Sequence, residues 1–181
     1  MADEKIVGKS DLVIAPLPEH LPPRLAAVSE YWHGKCLTGG DVPRLADIDL
    51  LDIYSQAPFL FIADKIMQPH EGAEHVYRWR YWGTAVRDFT GVEATGRYLH
   101  ETHEVKGAAE ATADYDAVLS ELKPSYWKRN VRTTGEDRSY LVYERVVFPL
   151  RAVDGTAQHI LGVFSIGNST RIASRTGESL S

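Results

Sequence analysis

Residues 74–82 read Glu-His-Val-Tyr-Arg-Trp-Arg-Tyr-Trp, and the alternation of rings with guanidiniums in this stretch decides the fold class. A period of two belongs to a β-strand, whose successive side chains point to opposite sides. His75, Tyr77, Trp79 and Tyr81 then share one face, and Arg78 and Arg80 share the other. A buried guanidinium needs partners, whereas aromatic rings gain from leaving water. The ring face is expected to look into the protein, and the arginine face toward solvent or a flanking helix.

The neighbouring segments extend this strand into a sheet. Phe59–Met67 is apolar on both faces, as a central strand should be, and Gln68-Pro69-His70-Glu71-Gly72 reads as a turn. The two strands are expected to form an antiparallel hairpin. After Gly83 the strand pattern stops, and Gly107–Leu122 reads as a helix with Ala108, Ala111, Tyr115, Val118 and Leu122 on one side, ended by Pro124. Strands return at Tyr126–Thr133, Ser139–Val153 and Gln158–Ile166. In the second of these, Tyr140, Val142, Val146, Phe148 and Leu150 are expected on one face. Gly135-Glu136-Asp137 and Asp154-Gly155 supply the turns, the latter a strong hairpin signal. Toward the N-terminus, Leu21–Leu37 is a helix opened by Pro22-Pro23 and closed by Gly39-Gly40, with Leu21, Leu25, Val28, Trp32 and Cys36 in one stripe. Asp47 is expected to cap a short helix carrying Ile48, Leu51 and Tyr54. The order is helix, two strands, helices, three strands. It predicts an α+β fold: a five-stranded antiparallel sheet, with Phe59–Met67 and Gln158–Ile166 central, helices over one face and an extra N-terminal helix.

The chain has 181 residues, the size of one domain, and its 44% hydrophobic and 25% charged residues are enough to build a core. The expected division is an extended arm over 1–20, a single domain over 21–167 and a flexible Ser-, Thr- and Gly-rich tail over 168–181. A net charge of −5 and a pI near 5.8 argue against a nucleic-acid partner, and the one basic cluster, Lys128, Arg129 and Arg132, reads as a solvated edge. Cys36 is the single cysteine, which excludes an internal disulfide and a cysteine-based zinc site. The first residues lack an apolar leader and no apolar run is long enough to cross a bilayer, so no membrane association is expected and the expected location is the cytoplasm.

Catalytic signatures are missing from the sequence: it contains no phosphate-binding glycine loop, metalloprotease helix or nucleophile elbow. His100-Glu101-Thr102-His103, beside Glu104, offers two imidazoles where zinc usually takes three or four ligands, so no metal is assigned. His100, His103 and His159 are undistinguished as haem ligands. Arg44 with Asp47, and Arg80 with Glu144, are expected to be structural ion pairs. A cone-shaped isomerase-like enzyme fold also wraps helices around a curved sheet, but its long helices come first, whereas here two strands precede the central helices.

Several motifs, in this order, are similar to those of a bacterial PAS-domain family whose members are short proteins made mainly of one PAS domain. They are Tyr31-Trp32, Val42-Pro43-Arg44 with Asp47-Ile48-Asp49, Tyr77–Thr84, Gly91 with Thr95-Gly96-Arg97, and Phe148-Pro149-Leu150 with Asp154-Gly155 and Ile160-Leu161-Gly162. The resemblance covers residues 25–166. It implies a PAS-like sheet with helices over one face around a small pocket, and a sensing or regulatory role without catalysis. It does not name a ligand, and no cofactor is assigned. Light sensors of the related flavin type carry a reactive cysteine over the flavin ring, and the corresponding residues 85–122 have none.

Two functional expectations follow. The first is a ligand pocket for a small apolar or aromatic molecule, walled by Tyr77, Trp79 and Tyr81, closed by Tyr115 and Val118, and flanked by Phe61 and Phe148. Its alternative is a filled aromatic core in a pure interaction module, with an unknown signalling protein as partner. The second is a homodimer in which Leu25, Val28 and Trp32 are partly buried by a second chain, as flanking PAS helices often are.

Overall fold

The computed structural model describes residues 13–36, 41–67, 74–103, 105–132 and 140–167. In it, β2 (Leu60–Ile66) and β3 (Val76–Trp82) pair antiparallel, with Ile62 opposite Tyr81 but Ala63 opposite Trp79. Arg80 is the extra residue, a β-bulge in the strand that opens the sequence argument. The other expected strands are present as β4 (Ser125–Arg132), β5 (Tyr140–Arg151) and β6 (Ala157–Gly167). A sixth, three-residue strand, β1 (Val13–Ala15), pairs with the edge of β4. The strand order is β1-β4-β5-β6-β2-β3, with every pairing antiparallel. β2 and β6 are neighbours and neither lies at an edge, as their two-sided apolar pattern requires.

The Asp154-Gly155 hairpin forms as expected. Gly155 takes a left-handed φ of 85°, and Asp154 accepts hydrogen bonds from the Thr156 amide and hydroxyl. Pro149 sits in β5 just past the last β4 pair, Ser125 with Val147, so its missing N–H breaks no bond on that side. The expected turns at Gln68–Gly72 and Gly135–Asp137, the helix end at Leu37–Gly40, most of the N-terminal arm and the 168–181 tail lie outside the described residues.

Helices cover both faces of this sheet. One face carries α2 (Thr84–Thr90), α3 (Leu99–Thr102) and α4 (Val105–Glu121). The other is covered by α1 (Pro23–Lys35) and the segment around Val42 and Ile53. The sheet therefore separates two cores. Phe61, Ala63, Ile160 and Phe164 belong to the first, and Leu60, Ile62, Leu161 and Val163 to the second. Asp47 closes a short 3-10 turn instead of opening a helix, and its carboxylate accepts the Arg44 amide at 2.9 Å.

This arrangement corrects the expected dimer residues. Leu25, Val28 and Trp32 are 0%, 0% and 4% exposed within the single chain. The Trp32 indole donates to the Pro149 carbonyl at 3.1 Å, and its ring lies 5.4 Å from that of Phe148. A sheet that is apolar on both faces needs cover on both, and the preceding helix supplies it, which leaves Leu25, Val28 and Trp32 almost no surface for a second chain. Full burial of Leu25 and Val28 contributes about 1.5–3 kcal/mol each.

Candidate functional site

The residues expected to wall a pocket separate into two groups. Tyr77, Trp79, Tyr115, Phe61 and Val118 all lie in the first core, each at most 3% exposed. They pack ring to ring: Phe61 lies 5.4 Å from Trp79, and Tyr77 lies 5.2 Å from Tyr115. Their polar ends are satisfied, since Tyr77 donates to Asp116 at 2.8 Å and Trp79 to Thr102 at 2.9 Å. Burial and that carboxylate push the Tyr77 phenol far above its usual value, and burial pushes the Tyr115 phenol to about 12. These five residues form a closed core.

Tyr81 and Phe148 belong to the second core, on the α1 side. Two causes separate them from the rest. The bulge at Arg80 turns the chain by one residue, so Trp82 joins Trp79 inside while the Tyr81 hydroxyl donates to the Ala57 carbonyl at 3.0 Å. In β5 the residues facing α4 are Tyr143, Arg145 and Val147, which leaves Val146, Phe148 and Leu150 for α1. Arg78 and Arg80 stay on the outside, as expected. Asp64, not Glu144, receives Arg80 Nε at 2.8 Å, and it also receives His159 Nδ1 at 2.9 Å. Glu144 lies three strands away and pairs with Lys128 at 3.0 Å. Burial alone raises the Asp64 carboxyl, but the His159 and Arg80 bonds and charges outweigh it and hold Asp64 below the usual range.

Beside the closed aromatic core, still under α4, lies a cavity of about 90 Å³. Its walls include Trp82, Phe89, His103, Trp127, Tyr143 and Phe164, with the guanidiniums of Arg129 and Arg145. Its position follows from the helix sequence. The N-terminal half of α4 presents Gly107 and Ala111 to the sheet, whereas Tyr115 and Val118 fill the space further along. Trp127, Arg145 and Phe164 form one cross-strand row over β4, β5 and β6.

Arg145 is the most unusual residue of this site. It is 4% exposed and bonds the 2%-exposed Asp114 at 2.7 Å through Nη2, and Tyr115 Oη at 3.4 Å through Nη1. Its guanidinium carbon lies 4.2 Å from the centre of the Trp127 ring, within cation–π range. Arg145 Nε and Trp127 Nε1 are both buried without a hydrogen-bond partner among the described residues. His103 stacks on Trp79 at 5.7 Å. Burial first, then the charges of Arg145 and Arg129, hold its imidazole below the usual histidine value, so it is neutral at pH 7.

His100 stacks on Tyr98 at 5.6 Å, so the two histidines of the motif turn to different rings. Among the described residues, no three imidazole, thiol or carboxylate groups converge as a metal site would require. Cys36 ends α1, on the opposite side of the sheet from the cavity. A second, more open groove of about 450 Å³ runs between Pro16 and the end of α4, lined by Ala117, Glu121, Lys123 and Pro124 with no aromatic wall. No helix among the described residues is long and apolar enough to cross a membrane.

A protein-family model described as a PAS domain matches residues 21–165 of the chain. Two solved structures are similar at 15% sequence identity. One is an RNA-binding light-oxygen-voltage receptor, with 87% of this chain and 39% of that one covered and a TM-score of 0.45. The other is the PAS domain of a protein from Colwellia psychrerythraea, with 66% of this chain and 98% of that one covered and a TM-score of 0.38. The chain thus spans about two-fifths of the length of that receptor. No curated protein matches it.

Proposed function

The chain belongs to the PAS-domain family, whose members are generally sensory or regulatory domains, and from that premise we propose that it senses a small molecule held under α4. The observation that carries this reading is the cavity itself. A core closed at Tyr77, Trp79 and Tyr115 leaves about 90 Å³ beside it, walled by rings and by one fully buried cation. Protein interiors are packed close to crystal density, so a void with polar walls has room for an occupant, and this supports the reading. A ligand there touches α2, α4 and four strands together, and its arrival changes how the helices sit on the sheet. The hydroxyl bonded to His103, Thr102 Oγ1, lies outside the lining and is engaged by the Trp79 indole, which supports a regulatory and not a catalytic role. Native mass spectrometry of the purified chain is the direct test. A small-molecule adduct that is lost on denaturation is expected, and the mass of the bare chain under the same gentle conditions, with no adduct on adding metabolite extracts, would sink the proposal.

The second reading is a protein-interaction module with a filled core. It is favoured by the closed packing of five of the seven residues expected to wall the pocket. The two readings differ in whether filling the cavity by Ala111→Leu abolishes the response or leaves the interaction untouched.

A further inference from the structure

We propose that the cavity under α4 selects small carboxylates, held by the guanidiniums of Arg145 and Arg129 with the Trp127 indole as a second donor. The inference rests on the reading that this cavity takes a ligand, and it assigns that ligand's chemistry.

Four observations lead to it. First, two arginines line the cavity and, among the described residues, no carboxylate does. Asp114, which bonds Arg145, lies outside the lining, as does Glu110, 3.6 Å from Arg129. Second, Arg145 and Trp127 face each other directly across β4 and β5, and each carries a buried N–H with no acceptor among the described residues. An unmet buried donor is costly, so a ligand oxygen that meets it is strongly favoured over apolar occupants. Third, the positive field is felt inside the site, because both arginines disfavour a proton on His103. Fourth, Trp82, Phe89, Ala111 and Phe164 give the cavity an apolar wall that suits a short hydrocarbon end. Size narrows the class: a cavity of about 90 Å³ is smaller than the roughly 150 Å³ that accommodates benzene. A carboxylate of the size of propionate fits these limits. An inorganic dianion fits them less well, because it offers the rings nothing to bury.

The test uses the full chain, labelled with ¹⁵N, at constant ionic strength. Sodium propionate, propionamide, sodium benzoate and xenon are titrated while the Trp127 indole N–H and the Arg145 Nε–H resonances are followed. Propionate is expected to shift both resonances saturably and to bind at least about tenfold more tightly than propionamide, the loss expected when a charge-assisted hydrogen bond becomes a neutral one. Benzoate is expected to leave both resonances unmoved. Arg129→Gln, and Trp127→Phe read at Arg145 Nε–H, should each weaken propionate about tenfold while xenon entry persists. Arg145 is not replaced alone, because that would strand Asp114. If xenon enters but propionate has no advantage over propionamide, the carboxylate assignment is overturned and the ligand cavity stands. If neither xenon nor any of the organic probes perturbs the site, the ligand reading falls with it.

Discussion

Gly162 offers a sharp test of the packing that closes the aromatic core. It lies in β6 between Phe61 of β2 and Val147 of β5, and a Cβ built there would overlap ring atoms of Phe61. That ring has nowhere to go. It is fully buried, with its centroid 5.4 Å from those of Trp79 and Phe164 and 6.0 Å from that of Trp82. Gly162→Ala therefore overpacks the core, at a cost of about 1–3 kcal/mol. Reduced freedom of the unfolded chain returns about 0.4–1 kcal/mol. The net expectation is a loss of about 1–2 kcal/mol, or roughly 2–8 °C in Tm for a domain of this size. Phe61→Ala alone should cost about 3–5 kcal/mol by opening a cavity. In that background the extra methyl enters vacated space, and Gly162→Ala should become neutral or favourable. Urea unfolding of the four proteins gives the coupling directly. A neutral Gly162→Ala, or the same cost in both backgrounds, would show that Phe61 does not press on this glycine.

Other outcomes follow from the same structure. Arg145→Met should cost about 3–5 kcal/mol by stranding the buried Asp114 carboxylate, and adding Asp114→Asn should recover most of it in urea unfolding; a double variant no more stable than the single one would refute the assignment. Leu25→Ala should destabilise the chain by about 2–5 kcal/mol without changing its association in sedimentation equilibrium, whereas dissociation of an oligomer at unchanged stability would return this stripe to an intermolecular role. Acid should weaken the fold in two steps. His103 is held below its usual value of 6.5 when folded, so the unfolded chain binds the proton first and stability falls as pH drops below about 6.5. Asp64 is held below 3.8, so its contribution is intact above that value and is lost as pH falls through its lower folded value. Tm measured from pH 8 to 2 should show both steps, with His103→Gln removing the upper one; an unchanged upper step in that variant would exonerate His103.

The sequence by itself determined the order of the five long strands and their main helices, the hairpin pairings and the inward side of the leading strand. Each of these rests on a local cause: Tyr77 and Trp79 alternate with Arg78 and Arg80, Asp154-Gly155 fixes a hairpin, and two-sided apolar strands must be central. What it left open were the choices made between elements. The bulge at Arg80, which exchanges Tyr81 for Trp82 inside, arises in the pairing with β2 and has no mark in the strand itself. The facing of Phe148 was undetermined because residues 146–150 are apolar on both sides, and only the placement of α1 against one face assigns them. The same placement consumed the Leu25, Val28 and Trp32 stripe, since a helical stripe reads alike whether its cover comes from its own chain or another. Trp127, Tyr143, Arg145 and Phe164 come from three strands and escaped notice as a group, although a charge within an apolar strand, as at Arg145, and the small residues Gly107 and Ala111 were the available signals. A cavity is the volume left when separate elements fail to fill a space between them. No single segment encodes it, and so tertiary packing alone decided where this protein has room for a ligand.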